Sequence, residues 1–575
     1  MFNIKALSKA IVFVATLTLL SACQTPLSNE AADQVYTNGR IYLGNVDNPW
    51  ASSIAIKAGR FLHAGNNASD HISARTKVID LEGRTVIPGI IDPHSHPGFV
   101  ALSHKILAME ETTSKKQLMA NIEKLVEDNP EQDVIIGGFW ENSLFGPEGP
   151  HKSELDAIES DRPIILYDAW AHSVWANTKA LQQAGVNAAT EDFVPGFSFY
   201  QKDEHGEPTG WITESAASVF INNFQSVTPA VENVLFEYLD YYRTIGVTTV
   251  LDAGNFGLDH QVYEAVSKLD QQGRLPVNYH GAYTLFLPSE GDTAVDSLKE
   301  LAAKFNSDRV KIDTLKIFYD GVLETRTAAL ADDYLDTPGN NGEILLSQDN
   351  VHKIIVQLDA EDGLNLHMHA VGDRATTTLL NAVEDAHKTL GRAPDIRMTI
   401  CHLEVVNNND FPRFKQLGVI ANFTPHWHTG GIDVMQDAIG ERALNMQRAQ
   451  TLIADGAMVT FSSDITDAYE WKTDRANPYL GMQVGHNRQD VGVAADGVYL
   501  PPISDRLSRT DLMNGYTSNA AHQLGIEDQT GTIAAGKRAD FIVLNQNIFE
   551  VDRFDIHKTQ PVAVIVGGET VSGGL

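Results

Sequence analysis

His94-Ser95-His96 stands at the end of an apolar run, Val86-Ile87-Pro88-Gly89-Ile90-Ile91-Asp92-Pro93, in a chain of 575 residues. On an extended strand alternate side chains share a face, so the two imidazoles point the same way and can grip one cation together. The run is of the kind found in buried parallel strands, whose carboxyl ends carry the chemistry of α/β barrels. Further apolar runs lead into residues of the same type: His367-Met368-His369, then His402, then Ser462-Ser463-Asp464. Brought to one barrel mouth, these side chains suit a metal-dependent enzyme. Lys316, in Leu315-Lys316-Ile317-Phe318, is the odd member, because a buried ammonium is costly without a partner or a chemical change. A CO2-derived carbamate on its amine would supply an anionic oxygen pair able to bridge two cations; the alternative is an ammonium paired with Asp320 or Asp373. Cys401 precedes His402, so strand alternation sends it toward the helical layer as an inert thiol.

The elements that must position these groups are a procession of apolar runs, each followed by a helix-compatible stretch, as in βα units. The strands are expected at 86–91, 247–251, 277–283, 314–318, 364–368, 398–401, 419–423 and 458–461. They predict an α/β fold, a TIM-like (β/α)8 barrel over 86–529. The interval 97–231 is too long for a simple crossover and has its own apolar runs at 134–139 and 163–167, so it reads as an inserted α/β lobe over the mouth. Short alternating segments at 35–85 and 530–575 predict one small β-sandwich built from both chain ends.

Five segments together resemble the amidohydrolase superfamily, specifically amidohydrolase family 3, the branch that includes N-substituted formamide deformylases. They are Pro88-Gly89-Ile90-Ile91-Asp92-Pro93-His94-Ser95-His96, Asp168-Ala169-Trp170-Ala171-His172-Ser173-Val174-Trp175-Ala176-Asn177, Lys316-Ile317-Phe318-Tyr319-Asp320-Gly321, His369-Ala370-Val371-Gly372-Asp373-Arg374-Ala375 and Gly536-Lys537-Arg538-Ala539-Asp540. The resemblance implies that His94 and His96 bind one divalent ion, that His369 and His402 bind a second, and that carboxylated Lys316 bridges them. It implies that Asp464 is both a ligand and the base that moves the proton, and that His172 hydrogen bonds to the substrate carbonyl oxygen. Zinc is the expected metal, as two ions or as one. Arg326 resembles a substrate-side residue, although Val322, Leu323 and Glu324 replace the smaller residues typical before it. In Thr424-Pro425-His426-Trp427-His428, His426 is expected to face the pocket, with Trp427 and Trp140 lining it.

The implied reaction is hydrolysis of an amide-type C–N bond in a small molecule by metal-activated hydroxide. A mononuclear deaminase or esterase on the same residues, or a non-catalytic ligand-binding surface lipoprotein, are the alternatives. The formal charge of −32, from 43 basic and 75 acidic residues, argues against a nucleic-acid partner. At the amino end, Lys5 and Lys9 precede an apolar run at 11–20, too short to span a bilayer, which ends in Leu20-Ser21-Ala22-Cys23. That pattern resembles a bacterial lipoprotein signal over 1–22, with lipid on Cys23 and a tether over 23–34. Membrane contact is then expected through the lipid alone, at the cell envelope facing the periplasm. Nothing in the sequence specifies an oligomeric state.

Overall fold

The computed structural model describes residues 30–575 apart from 46, 47, 111, 147, 430 and 431. The signal segment and Cys23 therefore lie outside the described residues. Eight parallel strands follow one another in sheet order as in sequence: β1 (Ile90–Ser95), β2 (Val247–Asp252), β3 (Asn278–Leu285), β4 (Val310–Phe318), β5 (Asn365–Ala370), β6 (Met398–His402), β7 (Ile420–Phe423) and β8 (Val459–Phe461). Strands β1, β2, β5, β6, β7 and β8 are buried along their whole length, which is why they read as continuous apolar runs rather than alternating ones. The helices that follow them bury one stripe. Asp373–Leu390 turns Ala375, Leu379, Ala382, Val383 and Ala386 inward and stops at Gly391, whose φ of +68° is the left-handed cap that glycine adopts freely.

The seam between β8 and β1 is closed just beyond β8. There the Asp464 N–H donates to His94 O (2.9 Å) and the His96 N–H donates to Ile465 O (3.2 Å). The residues expected to carry the chemistry are thus the residues that join the two edges of the barrel.

The expected first strand at 86–91 is two strands. Thr85–Pro88 belongs to the small β-domain, where it lies between Phe541–Leu544 and Arg40–Tyr42, and only Ile90–Ser95 enters the barrel. Gly89 makes the join, its N–H donating to Asp540 O (3.0 Å). A Cβ there would lie 2.7 Å from Thr248 Oγ1 and 3.3 Å from the Asp540 Cβ, so the chain passes between the two domains only as glycine.

The small domain has two sheets. A four-stranded one is made of residues from the amino end, and a six-stranded one draws on both ends, including Pro561–Val566 and Glu569–Gly573. Ile54, Phe61, Val86, Phe541 and Ile565 fill the space they share. The insertion after β1 builds a six-stranded mixed sheet from Leu107–Ala108 to Pro208–Thr213. It also carries His172 on the turn between Ile164–Asp168 and Ser173–Ala176.

Candidate active site

Asp464 is the hub. Its Oδ1 lies 3.3 Å from both His94 Nε2 and His96 Nε2, and its Oδ2 lies 3.4 Å from His402 Nδ1. Donors around one tetrahedral zinc ion, at metal distances near 2.0–2.2 Å, are separated by about 3.3 Å. The spacing of these side chains therefore fits an ion among His94, His96 and Asp464. Asp464 takes φ +49°, which turns its carboxylate back over β1. Its neighbour is pinned, since the Ser463 N–H (3.1 Å) and Oγ (2.6 Å) both donate to Asp92, which also accepts from the Tyr242 hydroxyl (2.7 Å). Burial pushes the Asp92 carboxyl up to about 6 despite these donors.

Outer contacts orient each imidazole. His96 Nδ1 donates to Gly254 O (3.1 Å), which leaves Nε2 as a lone pair directed at Asp464 and any ion beside it. His369 Nδ1 lies 3.2 Å from Asp320 Oδ1, so its Nε2 is likewise left for the site. His94 Nδ1 meets His367 Nε2 at 3.2 Å; the tautomer that frees His94 Nε2 places the proton on Nδ1, where His367 accepts it. Burial holds His94, His367, His369 and His402 well below the usual histidine range, with the Lys316 charge adding to the effect. They are neutral, which is the ligating form.

Lys316 is buried, with Nζ 3.1 Å from His94 Nε2 and 3.7 Å from Cys401 Sγ. Neither carboxylate proposed as its partner takes that role. Asp320 accepts from the N–H groups of Ala329, Val371 and Gly372, and Asp373 faces Arg442 and the Ala331 N–H. Among the described residues no ion-pair partner stands beside the Lys316 amine.

Cys401 does not face the helical layer. Alternation between neighbouring side chains holds only while the backbone stays extended, and His402 takes φ +75° at the end of β6. His402 and Cys401 therefore both turn into the mouth, and the thiol, pushed up to about 12 by burial, joins His94 and His402 as a second group of potential ligands.

The cluster forms the floor of a cavity of about 570 Å3, whose walls include His172, Phe256, Phe318, Trp427 and His426. Residues 77–572 match the model of the amidohydrolase family. The chain belongs to that family.

This amidohydrolase is 31% identical over 439 residues to the exoenzymes regulatory protein AepA of Pectobacterium carotovorum subsp. carotovorum, covering 74% of this chain and 90% of the relative. It is 24% identical over 557 residues to an N-substituted formamide deformylase of Arthrobacter pascens, covering 93% and 97% respectively. Among solved structures, an uncharacterized metal-dependent hydrolase from Pyrococcus horikoshii OT3 superimposes with a TM-score of 0.67 at 23% identity, over 90% of this chain and 99% of that one. The barrel and its attached β-domain are thus a known arrangement.

The remaining expected residues divide. His172 lines the cavity with its ring 5.8 Å from that of His369 and stacked on Phe318 at 5.4 Å. Its Nδ1 lies 2.6 Å from Glu214 Oε2. Burial opposes its charged form, but the Glu214 carboxylate prevails and lifts the imidazole to about 9. His426 faces the same cavity, with Nε2 bonded to Asn477 O (3.1 Å) and burial pushing it down to about 4.

Trp427 stacks on the His402 ring at 5.7 Å, whereas Trp140 lies in the core of the lobe and donates to Leu166 O (3.1 Å). Trp140 does not line the pocket.

Arg326 does not reach this cavity either. With φ +61° it turns away, bonds Asp336 (Nε to Oδ2 3.0 Å) and the carbonyls of Leu323 and Glu324, and lines a neighbouring depression. Glu324 faces the metal-side cavity instead, beside Glu404, Asp467 and Glu470.

Sequence reasoning missed Asp92, which had no role despite lying two residues before the His-X-His motif. It also missed Glu214, which is 42 residues from His172 and carries no local signal.

Proposed function

We propose that this protein hydrolyses an amide-type C–N bond, of the N-acyl or N-formyl amine class, in a small molecule. The observation that carries the reading is Asp464 Oδ1, 3.3 Å from two imidazoles that can share an ion with it and open to the cavity. A divalent ion held there, zinc by its ligand types, supplies Lewis acidity, bringing a water pKa to about 7 and polarising a carbonyl. The site offers two anionic groups that could link a second ion on His369 and His402: Lys316 as carbamate, and Cys401 as thiolate.

Asp464 accepts a proton at Oδ2, the oxygen not shared by His94 and His96, and returns it to the departing nitrogen, since it lies on the floor where both atoms must pass. His172, charged at neutral pH and opposite that floor, donates from Nε2 to the carbonyl oxygen as negative charge builds there. Phe318, Phe256 and Trp427 provide apolar walls that exclude water from the acyl portion. The similarity to a formamide deformylase supports the choice of leaving group.

Burial pushes the carboxyls of Glu324, Glu404, Asp467 and Glu470 in the cavity wall up, toward the protonated form that can donate a hydrogen bond to a neutral substrate. Metal-loaded protein is expected to release amine from N-formyl and N-acetyl amines. Metal-loaded protein that turns over none of these would overturn the hydrolase reading.

The Glu214 pair predicts a pH profile. His172 carries its proton below about 9 and loses it above, so activity should decline on an alkaline limb near that value. Replacing Glu214 with Gln removes the charge that raises the imidazole and leaves burial to lower it. The alkaline limb should then move to lower pH, while His172→Ala should cost about 10²- to 10³-fold at all pH values. A Glu214→Gln profile superimposable on wild type would show that His172 does not act as a cation.

A further inference from the structure

Two groups of side chains in the barrel mouth have the spacing of ligands, and both include His94: His94, His96 and Asp464, and His94, Cys401 and His402. In each, one donor atom per residue lies within 4.8 Å of the others. Resting on the reading of this site as a metal centre, we propose that Cys401 is itself a metal ligand, and that its thiolate, rather than a carbamate on Lys316, is the anionic donor beside His94.

The position of the sulfur is the first support. Cys401 is fully buried as the penultimate residue of β6, its S–H directed at Met368 O (3.3 Å), and Lys316 Nζ lies 3.7 Å from Sγ. It is enclosed by the residues of the site rather than by the hydrocarbon of the helical layer, where a structural thiol would sit.

The second support is charge. Lys316 is buried without a carboxylate partner among the described residues, and Asp464 already faces three imidazoles. Cys401 Sγ lies beside Lys316 Nζ and within ligand spacing of His94 and His402, so a cation held there would meet a donor that can carry negative charge when bound. The third support is chemical, because zinc accepts mixed thiolate, imidazole and carboxylate sets.

The step balances simply. The S–H bond breaks, the sulfur lone pair goes to the ion, and the proton leaves to solvent; nothing is oxidised or reduced. A soft donor at this place also tilts the centre toward zinc and away from magnesium or manganese.

X-ray absorption on the zinc-loaded full chain tests this directly. The expected result is a sulfur scatterer at about 2.3 Å beside nitrogen and oxygen donors at about 2.0–2.2 Å. Cys401→Ser should remove the sulfur shell, whereas Cys23→Ser should leave it in place. Cobalt-loaded wild type should show a thiolate-to-cobalt charge-transfer band that Cys401→Ser lacks, and metal content should not change when CO2 is excluded from every buffer. An active, metal-loaded wild type with nitrogen and oxygen donors only, or with metal retention that depends on bicarbonate, overturns this assignment and leaves the hydrolase reading standing. A folded chain that binds no metal overturns both.

Discussion

Asp464→Asn should lower kcat by about 10³- to 10⁴-fold, toward the upper end of what positioned proton transfer supplies, with little change in fold. Asparagine has the same shape and tolerates the φ of +49° found at this position. The backbone bond that closes the barrel, from the 464 N–H to His94 O, needs no side chain. What the amide cannot do is take up a proton, and it is a weaker ligand than a carboxylate. Measured at saturating metal, the variant should keep its circular dichroism and thermal midpoint within a few degrees and lose turnover. Wild-type kcat in that variant would remove Asp464 from the chemistry.

His94→Ala should have a larger effect on metal than any other single imidazole substitution. His94 belongs to both ligand groups, whereas His96 and His402 belong to one each. Losing it leaves neither group intact, and His367 is left facing a cavity. Equilibrium dialysis against zinc should show retention falling in the order wild type, then His96→Ala and His402→Ala, then His94→Ala, with hydrolysis falling in parallel. Chelation of wild type should act in the same direction. If free metal stands at 1,000 times its dissociation constant, its removal withdraws about 4 kcal/mol of stabilisation. The thermal midpoint should drop with the metal and return with zinc. Equal retention by all three variants would show that the two groups do not share a ligand.

The barrel was legible because parallel strands buried on both faces leave uninterrupted apolar runs, and because polar residues at the ends of such runs have little else to do than meet at the mouth. His94, His96, His369, His402, Lys316 and Asp464 converge for that reason. Where the reading failed, the deciding information was remote or conformational. The run at 86–91 is one apolar stretch, yet its halves belong to different domains because they pair with Phe541–Leu544 and with Val247–Asp252, both far along the chain. Cys401 was misplaced because the alternation rule was applied across a residue, His402, with φ +75°. Arg326 was assigned to substrate, but Asp336, ten residues on, captures its guanidinium once the backbone turns. Glu214 and His172 meet only after the lobe has folded.

The lobe separates the two halves of the cavity. The side chains with ligand spacing all sit on the barrel, while His172, Trp170 and Phe139 reach the same cavity from an insertion between β1 and β2. Glu214 fastens that insertion to the barrel by accepting from the hydroxyls of Thr325 and Thr327. Exchanging that one contiguous stretch would reshape the part of the cavity wall it supplies and leave the floor untouched.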